Sequence, residues 1–390
     1  MPQHRRQLES FFSEHFSGGE PEGYVAAPGR VNLIGEHIDY HGLPVLPVAL
    51  DRKIRIAFRV RPDSRIVVQN ATTKYGRREF DWTPELQPLE PGDWGNYLLA
   101  GAQAIGARCG VLRGVDAVVS GDIPAAAGLS SSSALIVAFS LALLRANRIQ
   151  ASFDVLMEML PEGEQFVGTR GGGMDHAVSL GGRKGNAMEI SWNPLSVRHI
   201  PFPAGWSFLA APSLKIAEKS STLRDKFNNR RAAGERALAS LGFRSFTELF
   251  ARHTPKEIAR MNIADPIQRR CFTHVVTEAT RVKTAVEAME KGHHAAFANA
   301  LNESHASLRD LLQVSCPELD QLVEAARRAG APGARLTGAG FGGYAILFAH
   351  SEDMPYIRQR LIAAYYAGKK NFDPDLHLLE VRPSSGALEE

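Results

Sequence analysis

Leu8, Phe11, Phe12 and Phe16 recur at helical spacing in an otherwise polar stretch, and Gly18 and Gly19 end it, so the first twenty residues predict an amphipathic helix. From Tyr24 to about Val68 the pattern turns extended. Residues 45–48 and 53–60 alternate or run apolar between turn residues, as strands do. Residues 93–106 and 131–147 read as helices, with a strand candidate at 115–119 between them, and a short-strand region at 186–209 carries Pro194, Pro201 and Pro203. Beyond Pro212 charged helices dominate. Asp265 and Pro266 give an N-cap and first-turn signal for a helix that runs to Lys291, where Gly292 stops it. Further helices are predicted over 295–312 and 317–328, and strands over 344–349 and 377–381. Strands and helices mixed in both halves predict an α+β fold with two domains, 1–205 and 206–390, and a loose tail from Ser384 to Glu390.

Composition narrows the class. The chain has 390 residues, 44% hydrophobic and 22% charged, which describes a globular protein large enough for more than one core. Its 45 basic against 42 acidic residues leave a net charge of +3. No strongly basic stretch points to nucleic acid, and the balance suits a small-molecule enzyme. Cys109, Cys271 and Cys316 are far apart and form no CxxC pair, which argues against a disulfide framework or a zinc site and for a reducing compartment. The start, MPQHRRQLESFF, has no apolar h-region, and the longest apolar run, 134–144, is interrupted by Ser140. No secretion and no membrane span are therefore expected, and a cytoplasmic setting follows.

Three glycine-rich segments carry the chemistry. In GDIPAAAGLSSSSA (121–134), Gly128 and Leu129 lead into Ser130, Ser131, Ser132 and Ser133 at the start of an apolar helix. Small residues let backbone N–H groups approach a ligand, and a helix N-terminus favours an anion. The pattern reads as a phosphate cradle; a serine-capped loop is the plainer alternative. LTGAGFGG (336–343) satisfies GxGxxG formally, but an apolar strand pattern follows where a dinucleotide fold needs a helix. GRVNLIGEHIDYHG (29–42) clusters Arg, Glu, His and Asp in a glycine-bounded loop. His37 and His41 are four apart, yet Gly35, Gly42 and Pro44 oppose the helix a metal pair would need. Hydrogen bonding to a polyol fits better than a solvated turn. No GxxxxGK[ST], HRD or DFG signature occurs.

Together these segments resemble the three signature motifs of the GHMP kinases, and in detail those of the galactokinase family. WGNY (94–97), HVVTE (274–278) with Arg281, NESH (302–305) and SCPELD (315–320) extend the resemblance over nearly the whole chain. It implies an N-terminal lobe like ribosomal protein S5 domain 2, a ferredoxin-like C-terminal lobe, and transfer of the γ-phosphoryl of ATP to a sugar hydroxyl. Asp175, in GGGMD (171–175), matches the family's catalytic aspartate, with Arg30 beside it. Glu36, His37, Asp39, Gly172 and Phe227 match sugar-site positions, and Trp94 and Tyr97 match residues near adenine. Gly128, Leu129 and Ser130 to Ser133 match the ATP phosphate loop. Mg²⁺ is implied with ATP, and a monomer is favoured.

The sequence departs from the family at several points. Ile38 stands where threonine is usual, His41 where asparagine is, and Phe227, in KFNNRR (226–231), where a tyrosine is. Arg170 replaces a small residue. The metal-binding glutamate of the family falls at Gly163, flanked by Glu162 and Glu164; Glu164 and Ser132 are the expected magnesium ligands. Arg170 and Phe227 keep open a different acceptor, such as N-acetylgalactosamine or a uronic acid. A catalytically inactive sugar and ATP sensor is disfavoured because the phosphate loop, Arg30 and Asp175 are intact.

Overall fold

The computed structural model describes residues 2–17, 19–124, 128–164, 166, 172–216 and 221–389. Helix α1 (Pro2–His15) comes first, burying Leu8 and Phe12 against the sheet that follows. Strands β1 (Gly23–Ile34) and β2 (Leu46–Val60) form a long antiparallel pair joined through a single 3-10 turn, Asp39–His41. β3 (Arg65–Asn70), β4 (Arg78–Asp81) and, after helix α2 (Gly95–Cys109), β5 (Val115–Gly121) complete a five-stranded sheet of order β1-β2-β5-β3-β4. Its pairs are antiparallel apart from β3 with β5.

Helix α3 (Ser131–Ala146) lies against this sheet. It is apolar on every side and buried from Ser133 to Leu144, as a helix must be that packs on β1, β2, α2 and the next helices at once. α4 (Phe153–Glu164) and α5 (Met174–Gly181) pack on it, and β6 (Asn186–Ser191) with β7 (Ser196–Pro201) makes a hairpin bridged to the first sheet at Val45 and Ile190.

Next come β8 (Trp206–Pro212), α6 (Ser221–Ser240), α7 (Phe246–Arg252) and α8 (Pro255–Ile258). The longest helix, α9 (Pro266–Lys291), has the ends its sequence encodes: the Asp265 side chain accepts from Gln268 N–H, and Gly292 closes the helix at φ 67°. α10 (His294–Ser307), a wide turn at Leu308–Leu312, α11 (Pro317–Arg328), β9 (Gly333–Thr337), β10 (Tyr344–His350), α12 (Met354–Leu361), α13 (Pro374–His377) and β11 (Leu379–Glu380) complete the fold. Four strands make an antiparallel sheet of order β11-β8-β10-β9 with its own apolar core. The fold is therefore α+β, with strands in both lobes.

Two local expectations are corrected. Residues 377–381 are only partly extended, because Asp373 caps the helical turn that Pro374 opens and only Leu379–Glu380 pairs in the sheet. The C-terminal tail is pinned. Ser384, Gly386 and Ala387 donate to Ala49, Gly182 and Ser179 of the first lobe, so backbone bonding rather than side-chain pattern holds it. Among the described residues no helix is long and apolar enough to cross a membrane.

Candidate active site

The three glycine-rich segments, far apart in sequence, meet at one place. β1 carries an irregularity between Pro28 and Arg30, and a Cβ on the intervening Gly29 would sit 2.6 Å from Leu129 O. Only glycine lets the strand pass that close to the phosphate loop, and the irregularity re-aims Arg30. Gly338, at φ 85°, meets the same loop from the other lobe: a Cβ there would lie 2.8 Å from Gly128 O.

Arg30 is the hub. Its Nε and Nη2 donate to Asp175 Oδ1 and Oδ2 at 2.8 and 3.0 Å, a bidentate pair, and its Nη1 donates to Gly128 O at 2.6 Å. Ser130 Oγ also donates to Asp175 Oδ2. Ser130 stands in the left-handed region (φ 58°), so its hydroxyl serves Asp175 and does not cap α3. The Ser130 side chain thus makes no cap at the start of α3, whose first-turn N–H groups point along the helix axis out of its N-terminus. Asp175 itself lies in the first turn of α5 behind Gly173 (φ 91°), where the helix dipole favours its negative charge.

Asp39 faces this pair from the 3-10 turn. A Cβ on Gly172 would be 2.5 Å from Asp39 Oδ2 and from Tyr40 N, so glycine is needed for α5 to approach the turn. Burial, and then the charges of Asp175 and Glu36, push the Asp39 carboxyl up to about 6, against the lowering effects of the Tyr40 N–H and Arg30.

Behind Asp39 the signature loop is braced by the second lobe. Glu36 Oε1 accepts from Gly338 N–H at 2.7 Å and Thr337 Oγ1 at 3.3 Å, and lies 3.4 Å from Nη2 of the fully buried Arg335. Among the described residues these contacts all fall on Oε1. Arg335 Nη1 also donates to Asn32 O and Leu33 O. His37 spans Tyr40 OH (3.0 Å) and Ala339 O (3.2 Å), and its burial lowers its pKa. Below lie His274, on Glu36 O and Ser307 Oγ, and Glu278, which accepts from Gly35 N–H and Ser304 Oγ. The charges of Arg281, His274 and Arg335 hold Glu278 down at about 2 despite burial, which acts the other way.

Glu164, the last residue of α4, is 9% exposed, and its Oε1 accepts from Ser133 Oγ at 3.3 Å. Gly163 cannot be the acidic position: a Cβ there would already lie 2.8 Å from Ala100 O and Ala104 Cβ of α2. Glu164, one residue on, is the carboxylate that reaches α3. The hydroxyl it meets is Ser133's, whereas the sequence pointed to Ser132, which lies half-buried one position earlier. A buried carboxylate beside a hydroxyl supplies the hard oxygen donors that suit magnesium held jointly with nucleotide phosphates.

Trp94 and Tyr97 open α2, which packs on α3. The Trp94 N–H is committed to Gly76 O at 3.0 Å, so only its ring is left for a ligand. His41 turns towards the helices of the second half of the chain. Its ring packs on Phe246 (centroids 4.9 Å apart) and against Gly234 of α6, and burial lowers its pKa to about 3. Arg170, Gly171 and the side chain of Phe227 lie outside the described residues. Sequence reasoning missed Arg335 and the roles of Ser130 and Ser133. A lone arginine within the buried strand GARLT was the available signal for the first.

Comparison with known proteins shows what the chain is similar to. Residues 10–60 match the galactokinase galactose-binding signature, 96–183 the GHMP kinases N terminal domain and 285–367 the GHMP kinases C terminal domain. The chain is 35% identical over 370 residues to a galactokinase of Roseiflexus sp. (strain RS-1), covering 92% of this chain and 91% of the relative. It is 36% identical over 375 residues to a galactokinase of Homo sapiens, with coverage of 93% and 92%. Lactococcus lactis galactokinase, solved in complex with galactose, superposes with a TM-score of 0.86 at 28% identity over 98% of both chains. A mevalonate kinase shares the fold at a TM-score of 0.63 and 19% identity, over 93% of this chain and 99% of that one.

Proposed function

The chain belongs to the galactokinase family, and from that premise we propose that it transfers the γ-phosphoryl of ATP to the anomeric hydroxyl of galactose, giving galactose 1-phosphate and ADP. The observation that carries the reading is the Arg30–Asp175 pair, where the sugar signature, the phosphate loop and α5 meet.

Phosphoryl transfer asks mainly for positioning and charge neutralisation. Asp175 takes the proton of the attacking hydroxyl. Arg30 and Ser130 orient its carboxylate, and the guanidinium offsets charge on the transferring group. Asp39, the backbone at Gly172, Glu36 Oε2 and His37 form the acceptor side. The α3 N-terminus, with Gly128, Leu129 and Ser130 to Ser133, receives the ATP phosphates, and the Trp94 and Tyr97 rings lie towards adenine. Glu164 with Ser133, or Ser132 beside it, would hold Mg²⁺, which would supply charge neutralisation for the nucleotide phosphates. The chain's balanced charge supports a cytoplasmic enzyme with small-molecule partners, and a monomer is part of the proposal.

The test is coupled ADP release with Mg-ATP across galactose, galactosamine derivatives, galacturonate, glucose and arabinose. Preferred turnover of galactose is expected. Activity confined to another sugar would overturn the acceptor and leave the kinase; silence on every sugar would overturn both.

A further inference from the structure

Beside Asp175 on the first turn of α5 stands a residue that the reading above leaves unused. His176 is 1% exposed, and neither ring nitrogen has a hydrogen-bond partner among the described residues. Buried polar groups are almost always satisfied, and leaving both nitrogens unpaired destabilises the fold. Nδ1 lies 3.9 Å from Glu164 Oε2, beyond a hydrogen bond but within reach of a small rotation of either side chain. Glu164 Oε1 is meanwhile occupied by Ser133 Oγ. One turn of α5 therefore sends Asp175 to the Arg30 side and His176 to the Glu164 side.

We propose that His176 is a positioning residue that donates a ring N–H to Glu164 Oε2 and, with Ser133 on Oε1, fixes the carboxylate that meets the cation of the metal–nucleotide complex. The proposal rests on the reading of Glu164 as the metal's carboxylate. Groups that orient a liganding carboxylate typically change metal affinity by about 10- to 100-fold when removed. Because His176 stands next to Asp175, the same helical turn sets the proton acceptor and the metal carboxylate in fixed relation, which makes the two halves of the reaction geometrically dependent.

Mn²⁺ binding to the whole protein in the presence of ADP, read from the free-ion EPR signal, tests this without turnover. His176→Leu should weaken Mn²⁺ about 10-fold, His176→Gln, which keeps an N–H donor, should stay within about threefold of the parent, and Glu164→Gln should lose at least as much as His176→Leu. The metal-free thermal midpoint of His176→Leu should be equal or higher, because two unpaired buried nitrogens are removed. Unchanged Mn²⁺ affinity in His176→Leu with a loss in Glu164→Gln would overturn the positioning role alone. Unchanged affinity in Glu164→Gln would overturn the Glu164 reading and the proposal with it. A lowered midpoint in His176→Leu with intact affinity would make His176 a packing residue and overturn the proposal.

Discussion

In an Asp39→Asn variant the carboxylate facing Asp175 and Glu36 loses its charge and keeps its shape. The native carboxyl is raised from 3.8 to about 6, first by burial and then by Asp175. Each pKa unit corresponds to about 1.4 kcal/mol, so ionised Asp39 opposes folding by up to about 3 kcal/mol, and by roughly 2 once solvent screening of a half-buried group is allowed for. The sign follows from the raised value: the penalty is present in full above pH 6 and is relieved as pH falls towards 3.8. Asn removes it, so the variant should melt roughly 2–4 °C above the parent at pH 8 in sugar-free buffer, with about half the gain left at pH 5 and most of it gone by pH 4. The sugar side moves the other way. Losing a charged acceptor for sugar hydroxyls costs about 1.5–3 kcal/mol, which should raise the galactose KM about 10- to 100-fold while the ATP KM stays near the parent's. Scanning fluorimetry across pH, together with initial rates at varied galactose, reads both effects. A variant less stable at pH 8, or stabilised equally at pH 8 and pH 4, would refute the electrostatic reasoning, whatever the kinetics show.

Arg335→Met removes the buried guanidinium that faces Glu36 and holds the carbonyls of Asn32 and Leu33. Breaking a buried pair on one side costs about 3–5 kcal/mol, so the thermal midpoint should fall by several degrees, and the galactose KM should rise more than the ATP KM; equal stability would mean that Glu36 is not held by this charge. His41→Asn should leave the galactose KM within about twofold, because the ring packs on Phe246 and Gly234, and a large change would return His41 to the acceptor surface. The same variant tests the sign of a depressed histidine. With a native value of about 3, His41 lowers stability progressively as pH falls from 6.5 towards 3, so the midpoint of His41→Asn should decline less over that range than the parent's.

Much of this fold was legible where local chemistry decides the outcome. α9 and α11 begin and end where Asp265, Gly292 and Pro317 say, because caps and first-turn prolines act within a few residues. β10 follows the glycine loop as its apolar run requires, which excludes the dinucleotide fold. The glycine-rich segments could be matched to a phosphate loop and a sugar signature because their backbone needs are written in residue type. Long-range decisions were hidden. The burial of Arg335 depends on Glu36 and β1, some three hundred residues away. The lack of room for a side chain at Gly163 depends on its contact with α2, and the anchoring of the tail on backbone bonds to Ala49 and Gly182. The packing of His41 was hidden too: it lies in the signature loop, but its ring meets Phe246 and Gly234 as well as Tyr40.

The central claim is that Asp175, held by Arg30, receives the proton of the sugar hydroxyl as the phosphoryl group arrives. Asp175→Asn keeps the shape of the side chain and removes the acceptor, so it tests this most directly. Product formation followed by ³¹P NMR with Mg-ATP and galactose should show the anomeric phosphate for the parent and none above background for the variant, while ATP binding by calorimetry stays within a few-fold. Turnover by the variant within about tenfold of the parent, or loss of ATP binding equal to the loss of turnover, would contradict the account.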